Sequence, residues 1–256
     1  MIVRESRERP ISWTVRRKQI PGWTIPFFAV EWVWDWLAFL LSRWTFVVVL
    51  DYLGSLSILV AVFFYFHDAE NRTKQRHYQA WQVINTAQGK GGSGGRIEAL
   101  QELNEDGVPL VGVDVSGSFL QGVNLHKAHL IRSNFSAADA RNSDFSNSDL
   151  EDSELRFANF RQSNFANASL AGTHLDDADL QSANLSDCDL SGSTLDRADL
   201  RFVTITNLGW THIRSIRGAN LFGIHDPPAG FLQWATQHGA AQIENDKDWE
   251  NTQPSK

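Results

Sequence analysis

A large apolar residue recurs at every fifth position from Leu110 to Ile205, and Ala140 is the one small member of this series. A small or β-branched residue stands two positions before each member. Five residues turn an α-helix by about 500°, so the series would define no helical face. In a straight strand, alternate members would point to opposite sides of the sheet. The period therefore predicts a chain that turns once per repeat and directs each large residue toward a common axis.

The repeated strings also resemble a known family. The segments FANF, LAGTHLDDADLQSANLSDCDL and LDRADL are similar to the A(D/N)LXX pattern of the pentapeptide repeat family. This resemblance implies an all-β solenoid, a right-handed quadrilateral parallel β-helix with four repeats per coil. Twenty repeats would then form five coils, which at about 4.8 Å per coil would stack to about 24 Å.

Four repeats per coil place residues twenty apart in one column. Cys188 falls at a small inward position, which predicts a buried and inert thiol. The predicted structural core combines one leucine column with large and small centres around it: Leu110, Leu130, Leu150, Leu170, Leu190, Phe135, Ala140, Phe145, Phe160, Phe165, Leu180 and Leu200.

Residues 44–66 are the most apolar run of the chain, and Asp51 is their single charge. About 20 mostly apolar residues cross a bilayer as a helix, so the run predicts a single-pass transmembrane helix. Asp51 would lie either at the interface or inside the hydrocarbon core. Residues 1–43 join a basic arm to a Trp-rich stretch at 27–42, which predicts a helix in the membrane interface. We therefore expect a bilayer as partner and a location in a bacterial inner membrane, with the repeats on the cytoplasmic side.

Residues 67–107 are predicted to connect the membrane helix to the repeats. They would form a juxtamembrane helix, a glycine-rich loop at 89–95 and a helix at 96–104 that caps the first coil. The glycine-rich loop is typical of a flexible linker. Alternatively, its backbone could cradle an anion at the start of the following helix, with Lys90 and Arg96 nearby.

The solenoid is predicted to span residues 108–224. Its repeat phase slips by one residue after Trp210, which indicates a sixth, irregular coil with a one-residue bulge. Residues 225–256 would hold a C-terminal capping helix within 226–239, followed by a polar tail that we expect to be loose.

The sequence contains no motif for nucleophilic, metal or nucleotide chemistry. We therefore predict no catalytic residue, cofactor or metal ligand, and no enzyme. His126 and His129 flank one centre and are expected to be solvated surface residues. The residues that could contact a partner are instead charged: Asp51, Lys90, Arg96, Asp176, Asp177 and Asp179.

The charge pattern bounds the function. The net charge of -7 argues against direct binding of nucleic acid. The leading prediction is a membrane-anchored, non-catalytic scaffold that presents a rigid rod to an unknown protein partner. Some pentapeptide proteins imitate duplex DNA and bind topoisomerases, so the resemblance leaves an acidic DNA mimic as the alternative. Apolar ends of a solenoid tend to pair, which would permit a homo-oligomer through the C-terminal cap.

Overall fold

The computed structural model describes residues 8–43, 45–67, 69–86 and 94–252. They belong to two compact units, of which the first ends at Arg72 and the second begins at Thr73.

The first unit is helical. Its helices are α1 (Trp13–Arg16), α2 (Ile25–Arg43) and α3 (Thr45–His67), and two short 3-10 turns lie between α1 and α2. The Arg16 guanidinium pairs with Glu31 at 3.2 Å and with Asp35 at 2.8 Å. The two acidic residues of the Trp-rich stretch are thus ion-paired with the segment that precedes it.

The predicted transmembrane helix at 44–66 and the membrane location are wrong. Across the described ranges, no helix has both the length and the apolar character needed to cross a membrane.

Two helices precede the repeats. Helix α4 (Ala69–Thr86) crosses the boundary between the units, and α5 (Arg96–Glu105) lies directly before the first coil. Leu100 and Leu103 of α5 are fully buried, so this helix covers the open end of the apolar interior. Of the glycine-rich loop, residues 89–93 lie outside the described residues, and Lys90 is among them.

Parallel bridges between neighbouring coils hold the repeat region together. Each bridge joins a residue to the one twenty positions later, from Asp114 with Asn134 to Asp189 with Gly209. Twenty residues make four repeats, so each coil has four sides. The backbone amide of each centre continues the ladder; that of Leu150, for example, donates to the Ser169 carbonyl at 2.9 Å.

The bridges in the described residues are single pairs and do not extend into strands. The reason lies two positions after each centre, where the backbone adopts the left-handed conformation, as at Asn147 with φ 57°. A left-handed residue in every repeat turns the chain by one corner. Too few extended residues remain between corners for a longer ladder, which corrects the expectation of regular β-strands.

Side chains fill the interior of the solenoid. All predicted core centres are buried, and each exposes at most 5% of its surface. Next to Ala140, the rings of Phe135 and Phe145 meet edge to face at 5.6 Å. Cys188 is buried, its thiol donates to the Phe165 carbonyl, and burial raises its pKa to about 12.

The predicted bulge is confirmed. Up to Gly209, bridges join residues twenty apart, whereas Thr194 pairs with Ser215, which is twenty-one residues later. The extra residue lies at Ile213 and Arg214: Ile213 turns inward and is buried, while Arg214 is exposed.

Both a capping helix and the chain that follows it cover the C-terminal end of the solenoid. Helix α6 (Phe231–Gln237) is shorter than the expected 226–239, because two prolines and Gly230 at φ 84° precede it. Up to residue 252, where the described residues end, the tail is not loose. Ala241 forms a parallel bridge with Asn220, and Trp249 of α7 (Asp246–Glu250) donates its indole N–H to the Gly218 carbonyl at 2.9 Å.

Candidate functional site

An open cleft lies on one side of the last coils, between the bulge and helix α6. Its volume is about 860 Å³. Arg214 of the bulge lines one part of it, and Trp234 and His238 at the end of α6 line another. We call this space the bulge cleft.

Ion pairs that run from coil to coil form the floor of the bulge cleft. Arg156 Nε lies 3.2 Å from Asp176, in the next coil. Arg197 Nε donates to Asp177 at 2.8 Å, again across one coil. Two of the predicted contact residues, Asp176 and Asp177, are thus neutralised by arginines twenty residues away. A stacked column of opposite charges restrains each side chain more than an isolated surface pair would.

A third ion pair joins the floor to the bulge. Arg217 Nη2 lies 2.9 Å from Asp196, which also accepts a hydrogen bond from the Ser215 hydroxyl. Burial alone would raise the pKa of Asp196. The hydrogen bonds from Ser215 and Arg217 outweigh burial and hold the pKa of this carboxyl below its usual range. Asp196 therefore stays ionised.

Arg214 is the fourth cation of the cleft. Its backbone amide donates to the Ser193 carbonyl at 2.9 Å, but its side chain has no hydrogen bond or ion pair among the residues that the structure describes. Its guanidinium lies over Gly192, since a Cβ atom placed at Gly192 would be 3.9 Å from Nη2. The cleft thus holds three neutralised pairs and one exposed, unneutralised guanidinium.

Aromatic rings form the opposite wall. The rings of Trp234 and His238 stack with their centroids 4.4 Å apart. Trp210 of the last coil supports Trp234 from behind at 5.4 Å. His238 Nδ1 lies 2.7 Å from the Trp234 carbonyl, which fixes the imidazole against the indole.

The remaining predicted contact residues are dispersed. Asp179 pairs with Arg161 at 3.4 Å, and its burial raises its pKa. Asp51 belongs to α3, and its side chain lies outside the described residues. Arg96 is not at the surface: it is 1% exposed, and its Nη1 atom donates to the Ser118 hydroxyl.

The described residues contain no group of three or more His, Cys, Asp or Glu placed to hold a metal ion. Of the two predicted surface histidines, His126 makes a hydrogen bond through Nδ1 to the Ser146 hydroxyl at 2.8 Å. Both histidines lie beside a second, smaller surface depression of about 390 Å³.

The residues that make the bulge cleft distinctive are not among those predicted from the sequence. Arg214 lies at the phase slip, and a slip in an otherwise unbroken period is a signal for a re-aimed side chain. Trp234 and His238 are four residues apart, a spacing that places two rings on one helical face. No sequence signal relates the α6 residues to the bulge, because their proximity depends on how the capping helix packs.

The repeat agrees with a described protein family. The family model for pentapeptide repeats matches residues 110–147, 143–181 and 173–207, with eight copies. Residues 110–207 belong to the pentapeptide repeat family. Pentapeptide repeat proteins fold as right-handed quadrilateral β-helices. The four-sided coils of this chain agree with that architecture, and the resemblance noted in the sequence is confirmed.

Solved pentapeptide repeat proteins are among the similar structures. Rfr23 from the cyanobacterium Cyanothece 51142 is 27% identical, with a TM-score of 0.22, over 38% of this chain and 58% of its own. A protein of the Arabidopsis thaliana thylakoid lumen is 17% identical, with a TM-score of 0.29, over 57% of this chain and 89% of its own. QnrB1, a plasmid-mediated fluoroquinolone resistance protein, is 14% identical, with a TM-score of 0.28, over 44% of this chain and 65% of its own.

This chain therefore spans little more than half of the Rfr23 structure. Among curated proteins, none matches the sequence.

Proposed function

We propose that this chain is a non-catalytic protein-interaction module that presents a rigid pentapeptide-repeat solenoid to a protein partner. The observation that carries the proposal is the division between interior and exterior. Buried side chains occupy the axis, whereas the bulge cleft, with its unneutralised Arg214, opens to solvent. A partner protein would therefore bind to the outer surface of the solenoid.

Backbone hydrogen bonds make that surface rigid. The amide of Phe145 donates to the Asn164 carbonyl at 2.7 Å, and the same contact recurs along every column. A partner that docks on a rigid surface meets side chains that are already in place, which lowers the entropy lost on binding. We also infer that the coils of this chain have the right-handed sense of their family.

An acidic DNA mimic is the weaker alternative. Residues 110–205 carry fourteen Asp or Glu against seven Lys or Arg, which gives a net charge of -7. A DNA mimic must expose its carboxylates. Here Asp176, Asp177 and Asp196, which line the cleft, each pair with an arginine, so the side of the solenoid that bears the cleft has little free negative charge. Asp179, outside the cleft, also pairs with an arginine.

The packing of the C-terminal end argues against a homo-oligomer formed there. Phe231 of α6 is 2% exposed and Ala235 is fully buried, so the helix already covers the last coil. The bridge between Asn220 and Ala241 adds a further layer. An end that its own chain covers offers little apolar surface to a second copy.

Site-specific photo-crosslinking would test the proposed function. A photo-reactive amino acid would replace Gln162 or Asn167, two exposed positions of the solenoid, in the full chain within its own cell extract. We expect one defined protein to be crosslinked to the folded chain, in an amount comparable to that of the chain itself. In a matched Leu150→Asp control, the buried charge should unfold the coils and abolish the product.

Equal crosslinking of the folded protein and the Leu150→Asp control would contradict an interaction module. A topoisomerase subunit as the crosslinked protein would favour the DNA-mimic alternative.

A further inference from the structure

The charge balance of the bulge cleft leaves one cation for a partner. Asp176, Asp177 and Asp196 are each neutralised by an arginine, and Arg214 remains. Within the described part of the cleft Arg214 is the one cation without a partner, so further carboxylates of a partner segment would be buried unpaired. The balance therefore favours a segment with a single carboxylate at this position.

The bulge prepares Arg214 for that role. The inserted residue breaks the inward and outward order of the coil, so that Ile213 is buried and Arg214 points into the cleft. Gly192 has no side chain to fill the space beside the guanidinium. A guanidinium binds a carboxylate through two parallel N–H donors, which fixes orientation as well as charge.

The aromatic wall offers a second contact. Trp234 and His238 present a stacked pair of rings, and Trp210 holds the indole in place. Tryptophan and arginine are the residue types that contribute most to binding energy in protein interfaces. Both contacts line one cleft, so a ligand that satisfies both needs a carboxylate and a flat apolar group close together.

The dimensions of the cleft suit a peptide. Its volume of about 860 Å³ is that of a typical ligand site, and one side is open to solvent. A segment of a larger chain can enter such a cleft through the side that is open to solvent.

We propose that the bulge cleft binds a peptide segment of a partner protein that carries one Glu or Asp next to an aromatic residue. The carboxylate binds Arg214, and the aromatic ring packs against Trp234 and His238. This inference rests on the proposed function as an interaction module and names the chemistry that the partner presents.

Fluorescence anisotropy with defined peptides would test the proposal on the full chain. The probe is a labelled, end-capped peptide Ser-Gly-Phe-Glu-Gly-Ser, compared with versions that carry Gln for Glu, Ala for Phe, or a run of four Glu. We expect the Gln version to bind about tenfold more weakly, because the charged hydrogen bonds to Arg214 are lost. The Ala and four-Glu versions should also bind more weakly.

Protein variants would locate the contact. In Arg214→Gln, the Glu and Gln peptides should bind alike, since the partner of the carboxylate is gone. Arg132→Gln is the matched control: Arg132 is an exposed arginine outside the cleft, and its removal should leave the tenfold difference intact. Thermal unfolding would verify that each variant folds.

Two results would overturn the proposal: binding that does not distinguish Glu from Gln, or the same tenfold preference in Arg214→Gln. If either occurs while the crosslinked partner is still lost in Leu150→Asp, the module function stands and the cleft assignment fails. If the peptide binds through Arg214 but no protein is crosslinked, the module function fails and the cleft assignment stands.

Discussion

Arg96 shows how one buried charge can dominate the free energy of its surroundings. It is 1% exposed, and within the described residues its Nε and Nη2 atoms have no hydrogen-bond partner. An unsatisfied buried polar group costs about 1–3 kcal/mol, and more when it is charged. Arg96 is also the first residue of helix α5, which covers the first coil. Its interactions therefore affect the stability of this capping helix.

We expect Arg96→Met to raise the free energy of unfolding by about 1 kcal/mol, because methionine fills a similar volume without N–H groups to satisfy. Urea denaturation would measure the change. Arg96→Ala is the control and should be less stable than Arg96→Met, since it leaves a cavity. A methionine variant clearly less stable than wild type would mean that the hydrogen bond from the guanidinium to Ser118 outweighs the cost of its two unsatisfied nitrogens.

The carboxyl of Asp196 links stability to pH. Its folded pKa lies below the unfolded value of about 3.9, so its contribution to stability is present above about pH 4 and is lost as the pH falls through the folded pKa. Asp196→Asn should therefore flatten the loss of stability between pH 5 and pH 3. Urea midpoints at stepped pH values would measure the slope.

Asp179 is a useful control because its pKa is shifted in the opposite direction to that of Asp196. Burial raises its pKa, so the folded state takes up its proton more readily and this group gains stability as the pH falls. Asp179→Asn should steepen the acid loss. Equal slopes in the two variants would disagree with both assignments.

Phe157 occupies a corner that aromatic residues rarely take. Its φ is 59°, in the left-handed region, and it is 55% exposed at the edge of the bulge cleft. Equivalent corners hold Gly, Asn or Asp at many other repeats. We expect Phe157→Asn to stabilise the protein by about 1 kcal/mol, because asparagine tolerates this conformation.

The reverse substitution, Asn147→Phe at an equivalent corner, should destabilise by a similar amount. Thermal unfolding would compare the two variants. A loss of stability in Phe157→Asn would show that the contacts of this ring outweigh its backbone strain.

At the scale of elements, the coil that contains Ala140 tests the packing of the axis. Ala140 is fully buried, and the rings of Phe135, Phe145 and Phe165 pack in its neighbourhood, with 5.0 Å between the centroids of the last two. Interiors at native density have no room for three more carbon atoms. Ala140→Leu should therefore cost about 1–3 kcal/mol.

Calorimetry or urea denaturation would measure that loss. Leu130→Met is a useful control because it conserves volume at a neighbouring inward centre and should cost less than about 1.5 kcal/mol. An unchanged stability in Ala140→Leu would mean that position 140 does not face the axis.

The elements also show what the sequence can and cannot predict. The five-residue period predicts which side chains are buried, because a regular turn leaves one arrangement for the large residues. The slip after Trp210 likewise predicts the bulge. The docking of Trp249 on Gly218 follows no period, since it depends on a tail that returns over the last coil.

At the scale of the whole molecule, the solenoid separates the buried side chains that hold the fold from the side chains that face solvent. Its axis and ladders hold the shape, and the coil that contains the bulge lines the cleft. That separation agrees with the architecture of the pentapeptide repeat family, to which residues 110–207 belong. The candidate site could not be assembled from the repeat alone, because it combines a bulge with a capping helix.

The most direct test of this fold is the hydrogen-bond register of the backbone in solution. Through-bond NMR couplings across hydrogen bonds should connect the amide of Leu150 to the carbonyl of Ser169, and the amide of Leu170 to the carbonyl of Asp189. After the bulge the step should grow from nineteen to twenty residues, as between Leu195 and Ser215. Couplings to carbonyls four residues earlier in the chain, as in an α-helix, would contradict a solenoid of five-residue turns.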